Sequence, residues 1–552
     1  MKHFGIYLAY APGVDLRHEG LGRYLAAFLK GAAGRDDVKF ILVCPSWTKQ
    51  ALHDLFQSEG VREGVFEIVC PPNIPMILRC YEQYMAKKKR PKKPSLKQRV
   101  VKTLFSWRAM LLTRVEERLI VVDSFPGVLR LGLEATALGL LLLLISPVLI
   151  LVPLYVLQLK IKVVMQKFLR PVRRLINPLL ASAEAPKEDT FFLRLYRRLE
   201  QVESDRMLLL INKMTDVKAW YGPTAFWPAF NKILAPRLMC VPDVVLADFP
   251  VGFSKVGGER FLQVYERVEA AIQGGQHFVT YSQSVKWHTL VERYALPSSA
   301  VSVVHHAPND LSVHVAVKGW VEAAEAASKN YCVMLFKGAL KKASNRMYSS
   351  TFNNGDVKFI FYASQFRPNK NLISLLKAYK YLLHHEFIRH KLILTGHAEG
   401  FPLVKAFIQE HHLENDVLCM HGLSVGELAA CYTLADLAVN PSLSEGGCPF
   451  TFTEALSVAT PVVMARIPVT EEILVDAELQ KVTFFDPYDW RDIADRIQWG
   501  LLNRDELLGI QLRAYALLSK RSWADVVNEH IDILEAISTT DAAAKEHALC
   551  TR

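Results

Sequence analysis

The sequence predicts an α/β protein of two doubly wound parallel-sheet domains, the first interrupted by a basic and apolar helical insertion. Three observations carry this expectation. Short apolar runs alternate with helical spacing in both halves of the chain. The runs of the second half are nearly all-apolar, as strands covered on both faces must be. The alternation stops after Cys70 and resumes only at Ala219.

The first domain opens on residues 4–11 (FGIYLAYA), read as a strand and not as a signal peptide because the apolar run is short. Gly20 and Gly22 then precede an amphipathic helix carrying Tyr24, Leu25, Phe28 and Leu29. Strand, glycine turn and helix in that order start a doubly wound domain. Further strands are expected at Lys39–Cys44, Phe66–Cys70, Ala219–Tyr221, Asp243–Ala247, His277–Tyr281 and Val301–Val304. The second series runs through Val357–Ala363, Lys391–Gly396, Val417–Met420, Leu437–Asn440 and Pro461–Met464. No repeat of solenoid length is visible.

A chain of 552 residues has room for two or three cores, and 51% hydrophobic against 22% charged residues excludes a disordered protein. The mean hydropathy of +0.13 owes its excess largely to residues 135–159, which carry no charge and are long enough as a helix to cross a bilayer. A single crossing would place residues 4–70 and 219–304 on opposite sides of the membrane, which one parallel sheet forbids. The expectation is therefore a re-entrant or interfacial hairpin bent at Pro147 and Pro153, the alternative being a helical pair packed inside the protein or against a second subunit. The formal charge of +11 is concentrated in the run Lys87 to Arg99, and Lys160 to Arg174 is basic as well. Basic flanks on both sides fit two cytoplasmic ends and an anionic membrane surface contacted through 87–99 and 135–174. The expected localisation is cytoplasmic, peripheral or monotopic at the membrane face. Nucleic acid is not expected as a partner, since the basic run has neither interleaved aromatics nor a known module. Nine cysteines without C-x-x-C spacing read as reduced thiols.

Two segments carry the chemistry. Tyr362 to Asn371 (YASQFRPNKN) lies between a strand and a helix, and its Arg367 and Lys370 are preset cations where negative charge would develop on a departing diphosphate. Asn440 to Leu456 (NPSLSEGGCPFTFTEAL) also joins strand to helix. There Gly446 and Gly447 free backbone N–H groups to face a phosphate at a helix N-terminus, and Glu454 is placed to accept from ribose hydroxyls.

Together these segments, with Thr395-Gly396, Gly422…Glu427-Leu428, Ala435-Asp436 and Thr460-Pro461-Val462-Val463, make residues 357–474 resemble the donor domain of the retaining GT-B glycosyltransferases of family 4, glycosyl transferases group 1. The resemblance implies two Rossmann-like domains facing a cleft. By it Arg367 and Lys370 bind the diphosphate, Glu454 the ribose, and Glu445 lies near the transferred sugar, while Ser442 and the loop after Met420 complete the donor site. Eight residues separate the two glutamates where the family has seven, which puts a bulge in the Gly446–Phe450 loop. Gly20-Leu21-Gly22 resembles the family's glycine loop near donor and acceptor. Val244 to Pro250 resembles its strand ending in His-Asp, with Ala247 where histidine is common. Asp248, His305 and His306 are the candidate acceptor or cleft residues. The two histidines lack a third ligand at metal spacing, so a metal site is not expected, and without an Asp-x-Asp no cofactor is required beyond a UDP- or GDP-sugar as donor.

The expected domains are 1–80 with 205–330 on the acceptor side, an insertion at 81–204, a nucleotide-sugar domain at 350–515, and a crossover helix and tail at 516–552. The expected activity is retaining transfer of a hexosyl unit to a saccharide or lipid-linked acceptor in polysaccharide biosynthesis at the membrane. The rival reading is a catalytically silent GT-B-like membrane scaffold.

Overall fold

The first sheet has seven parallel strands: β1 (Lys2–Tyr7), β2 (Val38–Val43), β3 (Phe66–Val69), β4 (Val217–Gly222), β5 (Arg237–Cys240), β6 (His277–Thr280) and β7 (Val301–Val303). Their order is β3-β2-β1-β4-β5-β6-β7. The second has β8 (Phe359–Tyr362), β9 (Lys391–Thr395), β10 (Val417–Met420), β11 (Leu437–Asn440), β12 (Val462–Ala465) and β13 (Phe484–Phe485), ordered β10-β9-β8-β11-β12-β13 and again all parallel. The structure is a computed structural model and describes residues 1–18, 20–76, 78–79, 136, 191–317, 323–343 and 357–550. Both sheets belong to one unit, residues 1–73 with 200–552, and residues 74–199 form another. The basic run 87–99 and the apolar stretch 135–159 with its 160–174 flank lie, Thr136 apart, outside the described residues. Among the described residues no helix is long and apolar enough to cross a membrane.

Period-two alternation sets the two faces of the first sheet. On β1, Phe4 and Ile6 join the core under the helix Gly20–Gly31, while Tyr7 points to the core on the other face with Met207, Leu208 and Ile211 of the helix Phe191–Ile211. Gly5 leaves room for the Trp220 ring of β4, because a Cβ there would overlap it. In the second sheet Ile360, Phe361, Leu392, Ile393, Leu394, Ala438 and Val439 are fully buried, which explains their unbroken apolar runs.

One expected strand is displaced. Residues 243–247 are not extended; the strand is β5, and Val245–Asp248 is a short helix behind it. Cys240 and Val241 look as apolar as Val244 and Val245, so hydrophobicity alone could not fix the strand end. Ala247, expected at a strand end, lies instead in that short helix. After the helix Arg504–Leu518, whose Leu507 and Ile510 sit in the second core, the chain returns to the first. The helix Trp523–Cys550 lays Val526, Val527, Ile531, Leu534 and Ile537 into that core, a stripe of helical period.

Candidate functional site

In an open parallel sheet a crevice forms where the strand order reverses, because the loops leaving the two strands there diverge to opposite faces. The second sheet reverses between β8 and β11. The loop after β8 carries Arg367 and Lys370, and the loop after β11 carries Glu445. The residues singled out from sequence thus meet at the one place this topology opens in that sheet.

Local chemistry fixes them. Pro368 presets the first position of a 3-10 turn, Pro368–Lys370. Asn371 then takes a left-handed conformation, φ 53°, and its Nδ2 donates to the Pro487 carbonyl at 2.6 Å before the helix Leu372–His384 begins. The buried Asn369 stitches the two loops together: its carbonyl accepts from the Leu443 N–H at 2.8 Å. Lys370 Nζ donates to Glu445 Oε1 at 2.7 Å, both side chains being largely enclosed. Arg367 donates to Gln365 Oε1 at 3.1 Å and remains exposed at the cavity wall.

These groups line a cavity of about 690 Å³. Its other wall comes from the first sheet's side, where Arg17, Gly20 and Arg23 follow β1 at that sheet's own reversal between β1 and β4. Pro449, Phe450 and Thr451 bring in the first turn of the helix Phe450–Ser457, whose N–H groups lack intrahelical partners. Glu454, buried on the same helix, accepts at Oε1 from Arg23 Nη2 and from Asn309 Nδ2, the latter at 3.2 Å. At the far end His421, Gly422 and Leu423, the loop after Met420, face His397, with the two imidazole centroids 4.7 Å apart. Burial, the neighbouring His397 and Lys342 push the His421 imidazole below its ordinary value.

Several expected residues have other duties. Gly22 lies inside the helix Gly20–Gly31, where a Cβ would overlap the Leu16 carbonyl; it is a packing residue, and only Gly20 of the pair faces the cavity. A Cβ on Gly446 would overlap the Pro242 carbonyl oxygen, and one on Gly447 would lie 2.9 Å from Tyr281 Cβ and 3.0 Å from His306 Nε2. The two glycines therefore admit the first domain's loops. Ser442 is buried, its hydroxyl donating to Asn440 Oδ1 at 2.7 Å, and Met420 is buried at the end of β10; both support the site without lining the cavity. His305 is exposed, with Nδ1 2.9 Å from the Tyr281 carbonyl. His306 stacks on Phe450 at 4.4 Å between centroids, and burial pushes its imidazole down to about 4. Asp248 pairs with Arg293 at 2.6 Å in a second cavity of about 300 Å³, which Glu445 also lines. Among the described residues no group of three or more metal-ligating side chains converges.

Asp243, Arg17, Arg23 and Asn309 were not singled out from sequence. Asp243 follows β5 and lines the second cavity; burial pushes its carboxyl up to about 6, with Lys370 and Arg367 opposing and Glu445 adding to the rise. The signal for Arg23 was there, since it lies three residues after Gly20 on one helix face.

Residues 346–515 match the family model described as Glycosyl transferases group 1. A stretch of 124 residues is 29% identical to the O-antigen chain mannosyltransferase RfbU of Salmonella typhimurium, covering 21% of this chain and 34% of that protein. The chain thus spans about a third of the length of the curated relative it matches. Among solved structures, Anabaena Alr3699/HepE in complex with UDP and glucose is similar at a TM-score of 0.52 and 10% identity, over 97% of this chain and 100% of that one. The Candida albicans trehalose-6-phosphate phosphatase N-terminal domain is similar at 0.53 and 11%, over 97% of each chain. At such identities the likeness is one of fold. The two parallel sheets have the GT-B fold of glycosyltransferases, and residues 346–515 are the part that matches the glycosyl transferases group 1 model.

Proposed function

We propose that this chain transfers a sugar, with retention of configuration, from a nucleotide-diphosphate sugar to a membrane-associated saccharide or lipid-linked acceptor. The observation that supports the reading most is the meeting of Arg367, Lys370 and Glu445 at the reversal point of the second sheet, on the wall of a 690 Å³ cavity. Cleaving the sugar–phosphate bond leaves charge on the diphosphate, and cations already in place stabilise it without reorganisation. Lys370, neutralised by Glu445 in the free protein, exchanges that partner for a phosphate oxygen when the donor arrives. Glu445, freed on the sugar side, stands between the donor cavity and the second cavity. Asp243, Asp248, Ser284, His288, Thr289 and Arg293 line that second cavity, and they suit the hydroxyl groups of an acceptor saccharide. The diphosphate charge is met by Arg367, Lys370 and the helix N-terminus at Phe450, so no divalent ion is required. UDP bound to the HepE structure and the O-antigen chain in the name of RfbU agree with a nucleotide-sugar donor and a saccharide product. The uncharged stretch 135–159 and the basic residues flanking it support a membrane-borne acceptor.

Thermal melts with UDP and GDP test the donor half. One of the two is expected to raise the melting temperature at millimolar concentration, and Lys370→Ala is expected to lower turnover of the matching sugar donor roughly 100- to 1,000-fold. If neither diphosphate stabilises the chain and Lys370→Ala turns over donor as the parent does, the assignment is wrong.

A further inference from the structure

Glu454 is a carboxylate with 4% residue exposure, and its two hydrogen bonds come from the first domain and from the segment that crosses out of it, between Ala307 of the first core and Leu311 of the second. Arg23 reaches it from the helix Gly20–Gly31 and Asn309 from the segment after β7, and both donate to the same oxygen, Oε1. Among the described residues both side-chain hydrogen bonds of Glu454 end on Oε1, and none on Oε2. A buried carboxyl group needs hydrogen-bond partners of this kind, and two donors on one oxygen also fix the plane of the group. The second oxygen is then preset toward whatever occupies the cavity that Arg23 and Glu454 both line.

We propose that Arg23 and Asn309 are positioning residues which orient Glu454 to read the ribose hydroxyls of the donor, so that preference for ribo- over deoxyribonucleotides is set by the acceptor-side domain and the segment leaving it. This rests on the nucleotide-sugar reading of the cavity. A hydroxyl donating to a fixed carboxylate is strong because one partner is charged, whereas a carboxylate free to turn loses that gain to side-chain ordering. The guanidinium also neutralises Glu454 facing an anionic ligand, which a neutral side chain at position 23 would not do.

Calorimetric titration of the full chain with UDP, GDP and their 2′-deoxy and 3′-deoxy forms tests the proposal. The parent is expected to favour one ribonucleotide over a deoxy form by roughly tenfold or more. Arg23→Gln and Asn309→Ala should each bring that ratio down toward the value of Glu454→Gln, with Arg23→Lys in between. A role confined to packing or to phosphate binding would weaken ribo and deoxy forms equally and leave the ratio unchanged. An unchanged ratio in both Arg23→Gln and Asn309→Ala overturns the positioning role while the nucleotide reading stands. Failure of the parent to bind either diphosphate overturns both.

Discussion

Gly446 and Gly447 sit where a β-carbon has nowhere to go, the first against the Pro242 carbonyl and the second against Tyr281 and His306. Closing that gap by substitution must push the loop bearing Glu445 off the acceptor-side domain. Gly446→Ala is therefore expected to cost about 1–3 kcal/mol in urea melts and to lower donor turnover. Gly509→Ala is the opposite case: it lies exposed in the helix Arg504–Leu518 with nothing within 4 Å, and should stabilise by about 0.5–1 kcal/mol. Equal melting of Gly446→Ala and the parent would remove the packing argument. A glycine in a sequence announces that a side chain is unwelcome but not what excludes it, and that is why this pair read as a phosphate cradle. Arg367, Lys370 and Glu445 were legible because their meaning is local, a charge at a strand-to-helix junction. Arg23, Asn309 and Asp243 were not, since each acts on a partner more than a hundred residues away.

Strand placement followed from period and from apolar runs for eleven of the thirteen strands, whereas β5 and the two-residue β13 depend on backbone pairing that no local pattern encodes. The returning helix Trp523–Cys550 was expected from the family resemblance, and its buried stripe includes a histidine that periodicity alone treats as ordinary. His530 is fully buried, its Nδ1 2.7 Å from the Val526 carbonyl and its ring edge-on to Phe28 and Tyr221. Burial pushes it down to about 4, as it does His306. A depressed folded value means that the unfolded chain binds the proton first. Each histidine therefore contributes stability present above about pH 6.5 and lost as pH falls toward 4, at roughly 1.4 kcal/mol per pH unit. Asp243, raised to about 6, acts in the opposite sense: the folded chain holds its proton more tightly, so stability grows as pH falls from 6 toward 4. His530→Phe should lower the slope of stability against pH by about one proton, roughly 1.4 kcal/mol per pH unit, in urea melts taken at pH 7, 6, 5 and 4.5. A slope unchanged by the substitution would mean that the imidazole is not held neutral by its burial.

At the scale of the whole chain, the first sheet joins two distant stretches of sequence, β1 pairing with β4 in parallel register from His3–Val217 to Ile6–Tyr221. That pairing gives the topological reason for expecting both ends of the insertion on one side of a membrane, a reason drawn from sheet geometry and not from hydropathy. It also separates two properties that can be tested apart. The residues lining the donor cavity fall at 17–23 and 363–454, all outside the uncharged stretch. Removal of residues 120–175 should then leave the UDP or GDP stabilisation of the chain intact while abolishing, at about 0.5 M salt, its flotation with vesicles containing anionic phospholipid. Attraction through the 87–99 run alone would persist in such a variant only at low ionic strength and fade by about 0.5 M salt, where screening acts within a few ångströms. Flotation retained by the shortened chain at high salt would place the membrane contact elsewhere. Loss of nucleotide stabilisation together with flotation would show instead that the insertion is part of the folded core.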